Sequence, residues 1–268
     1  MNAPAAKTPD LTKPEPAATS LDAIQRGPIH KPPRLVIYGV HGIGKTTFAA
    51  SAPDPIIIPT EDGSDELDVH RFPRVSSTGE VLAALRTLYR DKHDYKTVII
   101  DSADWLEDFI FHELSNSHTD KELAFGKEAL LAEQKMGEVL TALNYLRDKK
   151  DMTCIVVAHS EIRRFDSPMT EPFDRYQPKL QHRNSSLLQE WADAVLFATY
   201  DISVKREDVG FDKKVRRGVS AGDRLLFTEE RPAFYAKNRY SLPEELPLKW
   251  EELASKLAYF SGGNKKSK

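Results

Sequence analysis

Five short apolar runs, at residues 35–39, 55–59, 97–101, 153–158 and 194–199, stand out from a largely polar chain, and none of them alternates with charge. Uninterrupted runs of this length predict strands covered on both faces, as in a parallel sheet. Between them the period changes to that of helices. Val81, Leu82, Leu85, Leu88 and Tyr89 share one helical face, behind Ser77 and Glu80 at capping-box spacing. Leu106, Phe109, Ile110 and Leu114 repeat the pattern after the third run, and Met136, Val139, Leu140, Leu143 and Leu146 carry it in a longer helix. Strands alternating with helices predict an α/β fold, a mostly parallel sheet flanked by helices. From Asp201 the rhythm shifts, and 202–205, 224–228 and 233–237 read as antiparallel strands added at the C-terminal side. The charged stretch between the first two, centred on Lys213, Lys214, Arg216 and Arg217, reads as a loop. An amphipathic helix over 250–259 closes the fold.

The ends differ from this core. Residues 1–33 hold seven of the 17 prolines and almost no large apolar side chain before Leu21, so a flexible leader is expected there. A basic flexible tail is expected over 261–268, which leaves 34–260 as one domain. Of the 268 residues, 40% are hydrophobic and 29% charged, enough to bury a core. A formal charge of -3 excludes a polycation that coats nucleic acid by bulk charge, so any such contact must be local. The lone Cys154 excludes an internal disulfide and a thiolate-rich zinc site, which fits a reducing cytoplasm. No apolar run approaches the roughly 18 residues of a membrane span, so no membrane partner is expected.

The first run leads directly into Gly39, Val40, His41, Gly42, Ile43, Gly44, Lys45, Thr46 and Thr47, a match to GxxxxGK[ST] ahead of a helix-compatible stretch. Glycines at that spacing let successive backbone N–H groups turn inward around phosphate oxygens. Gly39, His41, Gly42, Ile43, Gly44, Lys45, Thr46 and Thr47 are therefore the expected nucleotide cradle, with ATP and Mg²⁺ as cofactors. Lys45 is suited to the β and γ phosphates and Thr46 to Mg²⁺. A second magnesium group is expected at the end of a neighbouring hydrophobic strand, and Asp101 supplies it after Val98, Ile99 and Ile100.

Hydrolysis also needs a group that orients or deprotonates water. The residue after Asp101 is Ser102, so the base must come from elsewhere. Strand ends line the ligand crevice of an open α/β sheet, which makes Glu61 the preferred base and Asp62 the second choice. His159, beside Ser160 at the end of the fourth run, is a candidate sensor of the γ phosphate or the lytic water.

Together GVHGIGKTT at 39–47, the strand end at Glu61, VIIDS at 98–102, VVAHS at 156–160 and AKNRYSLP at 236–243 resemble the RecA/RadA-like P-loop ATPases. They are most similar to the phage-encoded ATP-binding recombination proteins that anneal single strands. The KNRY run is similar to the KNRFG element of RadA, with Tyr240 and Ser241 in place of the final Phe and Gly. On an extended strand Lys237 and Arg239 project from one face, about 7 Å apart. The resemblance implies that they reach the γ phosphate of a neighbouring subunit, so that a homo-oligomer holds ATP at its interfaces. It also implies contact with single-stranded DNA through the segment after the fourth strand, which carries Arg163, Arg164, Phe165, Arg175, Lys179 and Arg183. Cations interleaved with aromatic rings suit that ligand. The denser cluster of Lys213, Lys214, Arg216 and Arg217 is the alternative phosphate contact. A single-strand-binding protein is a further candidate partner. The expected activity is Mg²⁺-dependent ATP hydrolysis serving annealing or strand pairing; a small-molecule kinase and a nucleotide-gated scaffold are the alternatives.

Overall fold

Gly39 ends the first strand so tightly against its neighbour that a Cβ there would lie 2.0 Å from the carbonyl oxygen of Ala198. That contact sits at the centre of the architecture. The computed structural model describes residue 24 and residues 26–208 and 214–261, with 202–208 and 214–221 described by backbone alone. Most of the expected leader, residues 262–268 of the tail, and Lys213 lie outside the described residues.

In chain order the elements are β1 (Arg34–Gly39), α1 (Lys45–Ala50), β2 (Pro55–Pro59), β3 (His70–Arg71), α2 (Thr78–Arg90), β4 (Thr97–Asp101), α3 (Ala103–Ser117), α4 (Asp120–Leu123), α5 (Lys127–Lys150), β5 (Thr153–Phe165), β6 (Phe173–Pro178), α6 (His182–Trp191), β7 (Ala194–Asp208), β8 (Lys214–Phe227), β9 (Lys237–Asn238), β10 (Glu245–Pro247), α7 (Trp250–Lys256) and α8 (Ala258–Ser261). The main sheet runs β10-β8-β7-β1-β5-β4-β2-β3, parallel from β7 to β3 and antiparallel where β8, β9 and β10 join. The expected α/β architecture, with antiparallel strands at the C-terminal side, is present.

Period-2 geometry assigns alternate residues of the apolar runs to two cores. Val36, Tyr38, Ile56, Ile58, Val98, Ile100, Val156 and Phe197 pack beneath α2, α3, α5 and α6. Leu35, Ile37, Ile57, Ile99, Ile155, Val157 and Leu196 pack on the other face, with Phe48, Trp250 and Leu253 from α1 and α7. Both faces are covered, which is why these runs carry no polar alternation. At the start of α2, Ser77 accepts from the Glu80 N–H, while the Glu80 carboxylate reaches one residue past the expected box to the N–H of Ser76.

Several boundaries differ from the sequence pattern. The fourth strand outruns its apolar run: β5 continues to Phe165 and pairs with β6 in register from Ser160↔Pro178 to Phe165↔Phe173. Pro168 and Pro172 lie in the turn between them, so they break no pairing. The runs at 194–199 and 202–205 are one strand, β7, with an irregularity in register between Tyr200 and Ile202. Lys214, Arg216 and Arg217 belong to the backbone of β8, where a loop was expected. No continuous strand forms over 233–237: Phe234 makes isolated bridges to Tyr176 and Arg231, and Lys237 and Asn238 pair with Val195 and Ala194. The closing helix divides into α7 and α8. The short helix α6 escapes the pattern because only Leu187, Leu188 and Trp191 mark its apolar side.

Candidate nucleotide site

The glycine loop leaves β1 at the carboxyl edge of the sheet and enters α1 at Lys45. Gly42 and Gly44 hold φ of 71° and 100°, conformations that cost other residues strain. Ile43 is fully buried in the second core and anchors the loop, leaving its side chain no part in ligand contact. Thr47 faces solvent one turn on.

Lys45 is buried, and its Nζ donates to the carbonyl oxygens of Gly39 and Val40, each at 3.1 Å. Burial lowers its pKa, opposed by the charges of Asp101, Asp104 and Glu61. The ammonium therefore rests on weak loop acceptors in reach of three carboxylates. Thr46 Oγ1 donates to Asp101 Oδ2 at 2.6 Å. Burial pushes the Asp101 carboxyl up to about 6, with the Thr46 hydrogen bond acting against it. A hydroxyl and a carboxylate converging at the base of the loop are hard oxygen donors, and among the described residues no cluster of three or more His, Cys, Asp or Glu side chains could hold a metal. Two protein donors fit Mg²⁺, which takes its remaining ligands from water and phosphate.

The ends of β2 and β4 are joined by Thr60, whose N–H donates to the Asp101 carbonyl at 2.8 Å and whose Oγ1 donates to the Ser102 carbonyl at 2.9 Å. This brings Glu61 to the same edge as Asp101. Asp62, the second choice for the base, is instead exposed and ion-paired with Arg74. Glu61 Oε1 lies 3.8 Å from His159 Nε2. The other ring nitrogen, Nδ1, is 2.7 Å from Asp104 Oδ2, and the His159 N–H donates to Asp104 Oδ1 at 3.0 Å. His41 from the glycine loop stacks on His159, with centroids 4.2 Å apart and planes at 21°. His159 and Lys45 lower the His41 pKa, together with burial.

Two residues here escaped the sequence analysis. Asp104 reads in the sequence as an ordinary acid in the first turn of a helix; its spacing of three from Asp101 is the one available signal. Arg224, at the root of the β7–β8 ribbon, has its Nη1 2.9 Å from where a Gly44 Cβ would sit. No local pattern could reveal that approach, because strand pairing across the ribbon creates it.

Lys237 and Arg239 lie elsewhere. Val195 and Ala194 begin β7, level with Val36 and Leu35 of β1, so their β9 partners occupy the amino edge of the sheet, roughly 10–13 Å of strand from Gly39. Lys237 Nζ donates to the carbonyl oxygens of Gln189, Glu190 and Ala192, at 2.7, 3.1 and 2.8 Å, at the end of α6. Arg239 Nη1 is 3.7 Å from Asp193 and its side chain is half exposed. Asp193 also holds Arg34, Arg147 and the hydroxyl of Tyr240. The expectation that both cations share a strand face is corrected by the two-residue length of β9.

The nucleic-acid candidates are divided. Arg175 is sandwiched, 3.9 Å above the Phe165 ring and 2.7 Å from Glu230. Arg163 bonds Glu161 and the Leu180 carbonyl. Arg164 and Arg183 are exposed, beside Asp166 and Glu133. Lys179 is exposed, and its N–H donates to the His159 carbonyl. Lys213 and the side chains of Lys214, Arg216 and Arg217 lie outside the described residues.

A parallel α/β sheet with a glycine loop, a threonine–aspartate pair and a lysine at one edge defines a P-loop nucleotide-binding protein. Residues 31–240 match the family model described as an AAA domain, and the chain belongs to that family. Among solved structures it is similar to the RadB recombinase, at 17% identity and a TM-score of 0.44, with 80% of this chain and 86% of that chain covered. No curated protein matches it. Among the described residues no helix is long and apolar enough to cross a membrane.

Proposed function

We propose that this protein is a RecA-like recombination ATPase that binds single-stranded DNA and promotes annealing or strand pairing. The observation that carries the reading is the convergence of Lys45, the Thr46–Asp101 pair and the Glu61–His159 contact around one glycine loop. The loop N–H groups and Lys45 hold the phosphate chain. Thr46 and Asp101 would hold Mg²⁺, which would screen the phosphate charge. Glu61 orients water for in-line attack on the γ phosphorus and accepts its proton, and His159 stands beside it. Lys237 and Arg239 face away from their own loop, so any contact with phosphate is made to a neighbouring copy. The exposed Arg164, Lys179 and Arg183, with the basic β7–β8 ribbon, are the DNA-facing candidates.

The test is phosphate release by the wild type and by Glu61→Gln, each with and without single-stranded DNA. Turnover stimulated by DNA, and reduced on the order of 10²-fold or more in Glu61→Gln, is the expected result. Equal turnover in the two proteins removes Glu61 as base, and turnover indifferent to DNA removes the recombination role.

A further inference from the structure

We propose that Asp104 is a positioning residue that locks His159 with its Nδ1 proton directed inward, leaving Nε2 as the acceptor for the proton taken up by Glu61. The inference rests on the ATPase reading above and adds the path by which the proton leaves. Asp104 is buried at 5% exposure and meets one residue twice, accepting from the His159 N–H at 3.0 Å and lying 2.7 Å from its Nδ1. Bonds to both the main chain and the ring of a single residue leave that ring one orientation.

The tautomer follows from the chemistry of the acceptor. Burial acts to raise the Asp104 carboxyl, but its bonds to His159 outweigh this and hold it below the usual carboxylate range. An ionised carboxylate only accepts, so Nδ1 must carry the hydrogen. In the neutral ring Nε2 then presents a lone pair toward Glu61 Oε1, 3.8 Å away. Stacking on His41 fixes the ring from its face. Glu61, Asp104 and His41 thus surround His159 from the turn after β2, from α3 and from the glycine loop, and Asp101, Lys45 and Lys179 complete the nearby charges.

Water oxygen forms its bond to the γ phosphorus, the bond from that phosphorus to the β–γ bridging oxygen breaks with its electron pair leaving on ADP, and the water proton passes to Glu61. Glu61 yields the proton to His159 Nε2, the imidazolium is stabilised by Asp104, and the proton leaves to solvent. His159 is also where the hairpin is rooted, since its carbonyl accepts from the Lys179 N–H beyond β6.

The experiment measures the tautomer of His159 by ¹⁵N NMR in the full chain, with His159→Gln to assign the signal, alongside ATP affinity and kcat over pH for wild type, Asp104→Asn and Asp104→Glu. The wild type should show the Nδ1–H form. Asp104→Asn, whose amide can donate to Nδ1, should convert it to Nε2–H, leave ATP affinity within about twofold and lower kcat by roughly 10² to 10⁴. Asp104→Glu should restore part of kcat and the original tautomer. An Nε2–H wild type overturns the inference, and so does an active wild type matched by Asp104→Asn. A wild type that releases no phosphate overturns the ATPase reading itself.

Discussion

Asp101 is the residue whose chemistry is most at odds with its surroundings. It is buried at 4% exposure, and its carboxyl is raised to about 6. The folded state therefore holds the proton more tightly than the unfolded chain does. A group of this kind stabilises the fold below its unfolded value near 4, and that contribution disappears as pH rises through about 6. Above that range the ionised carboxylate costs on the order of 3 kcal/mol in the metal-free protein. Asp101→Asn should accordingly raise the melting temperature at pH 8 without metal by several degrees, while Mg²⁺-dependent tightening of ATP binding disappears. Melting curves with EDTA, paired with ATP titrations with and without Mg²⁺, check both halves. A variant that melts no higher than wild type at pH 8 would contradict the desolvation argument. The sequence named Asp101, Thr46 and Lys45 because their spacing from a hydrophobic strand carries the chemistry; it missed Asp104 because its value lies in a partner 55 residues away.

Among the elements, the end of α6 explains most of the KNRY run. A helix leaves its last carbonyl groups without intrahelical partners, and Lys237 supplies a charged donor to three of the carbonyls around that end. Asn238 closes the next turn, accepting from the N–H groups of Tyr240 and Leu242, while Arg239 and Tyr240 reach Asp193. Lys237→Met should thus lower the melting temperature by roughly 4–8 °C, the loss of about 2 kcal/mol in a domain of this size. A cation held only for a neighbour's phosphate would instead lower turnover with the melting point unchanged. The hairpin of β5 and β6 likewise depends on a partner distant in the chain. Residues 161–165 carry no apolar run to mark a strand, yet they extend β5 because β6 returns in register to pair with them.

For the whole molecule, the loop and the Lys237–Arg239 pair lie at opposite edges of one sheet, so a single chain cannot bring them together. If the proposed interface forms, each active site takes Glu61 from one copy and Arg239 from the next. Mixing Glu61→Gln with Arg239→Ala, each inactive alone, should then restore up to about a quarter of wild-type turnover at equal ratios, because one random pairing in four joins two intact halves. Phosphate release across a titration of the two variants reads this directly. No recovery, with both variants folded, assigns Arg239 to the Asp193 cluster alone.

The parallel sheet and the glycine loop are legible along the chain, as are the candidate residues Lys45, Thr46 and Asp101 that meet at the loop. These depend on local spacing, in which a run of apolar residues, a turn and a helix are neighbours along the chain. Packing across the fold sets the remainder: the extension of β5 and β7, the placing of Arg224 against Gly44, the knot around Asp193 and the seating of His159 between Asp104, Glu61 and His41. Each of these joins side chains or strands far apart in sequence. A contact of that kind is settled by the packing of two cores on one sheet, and no periodicity along the chain encodes it.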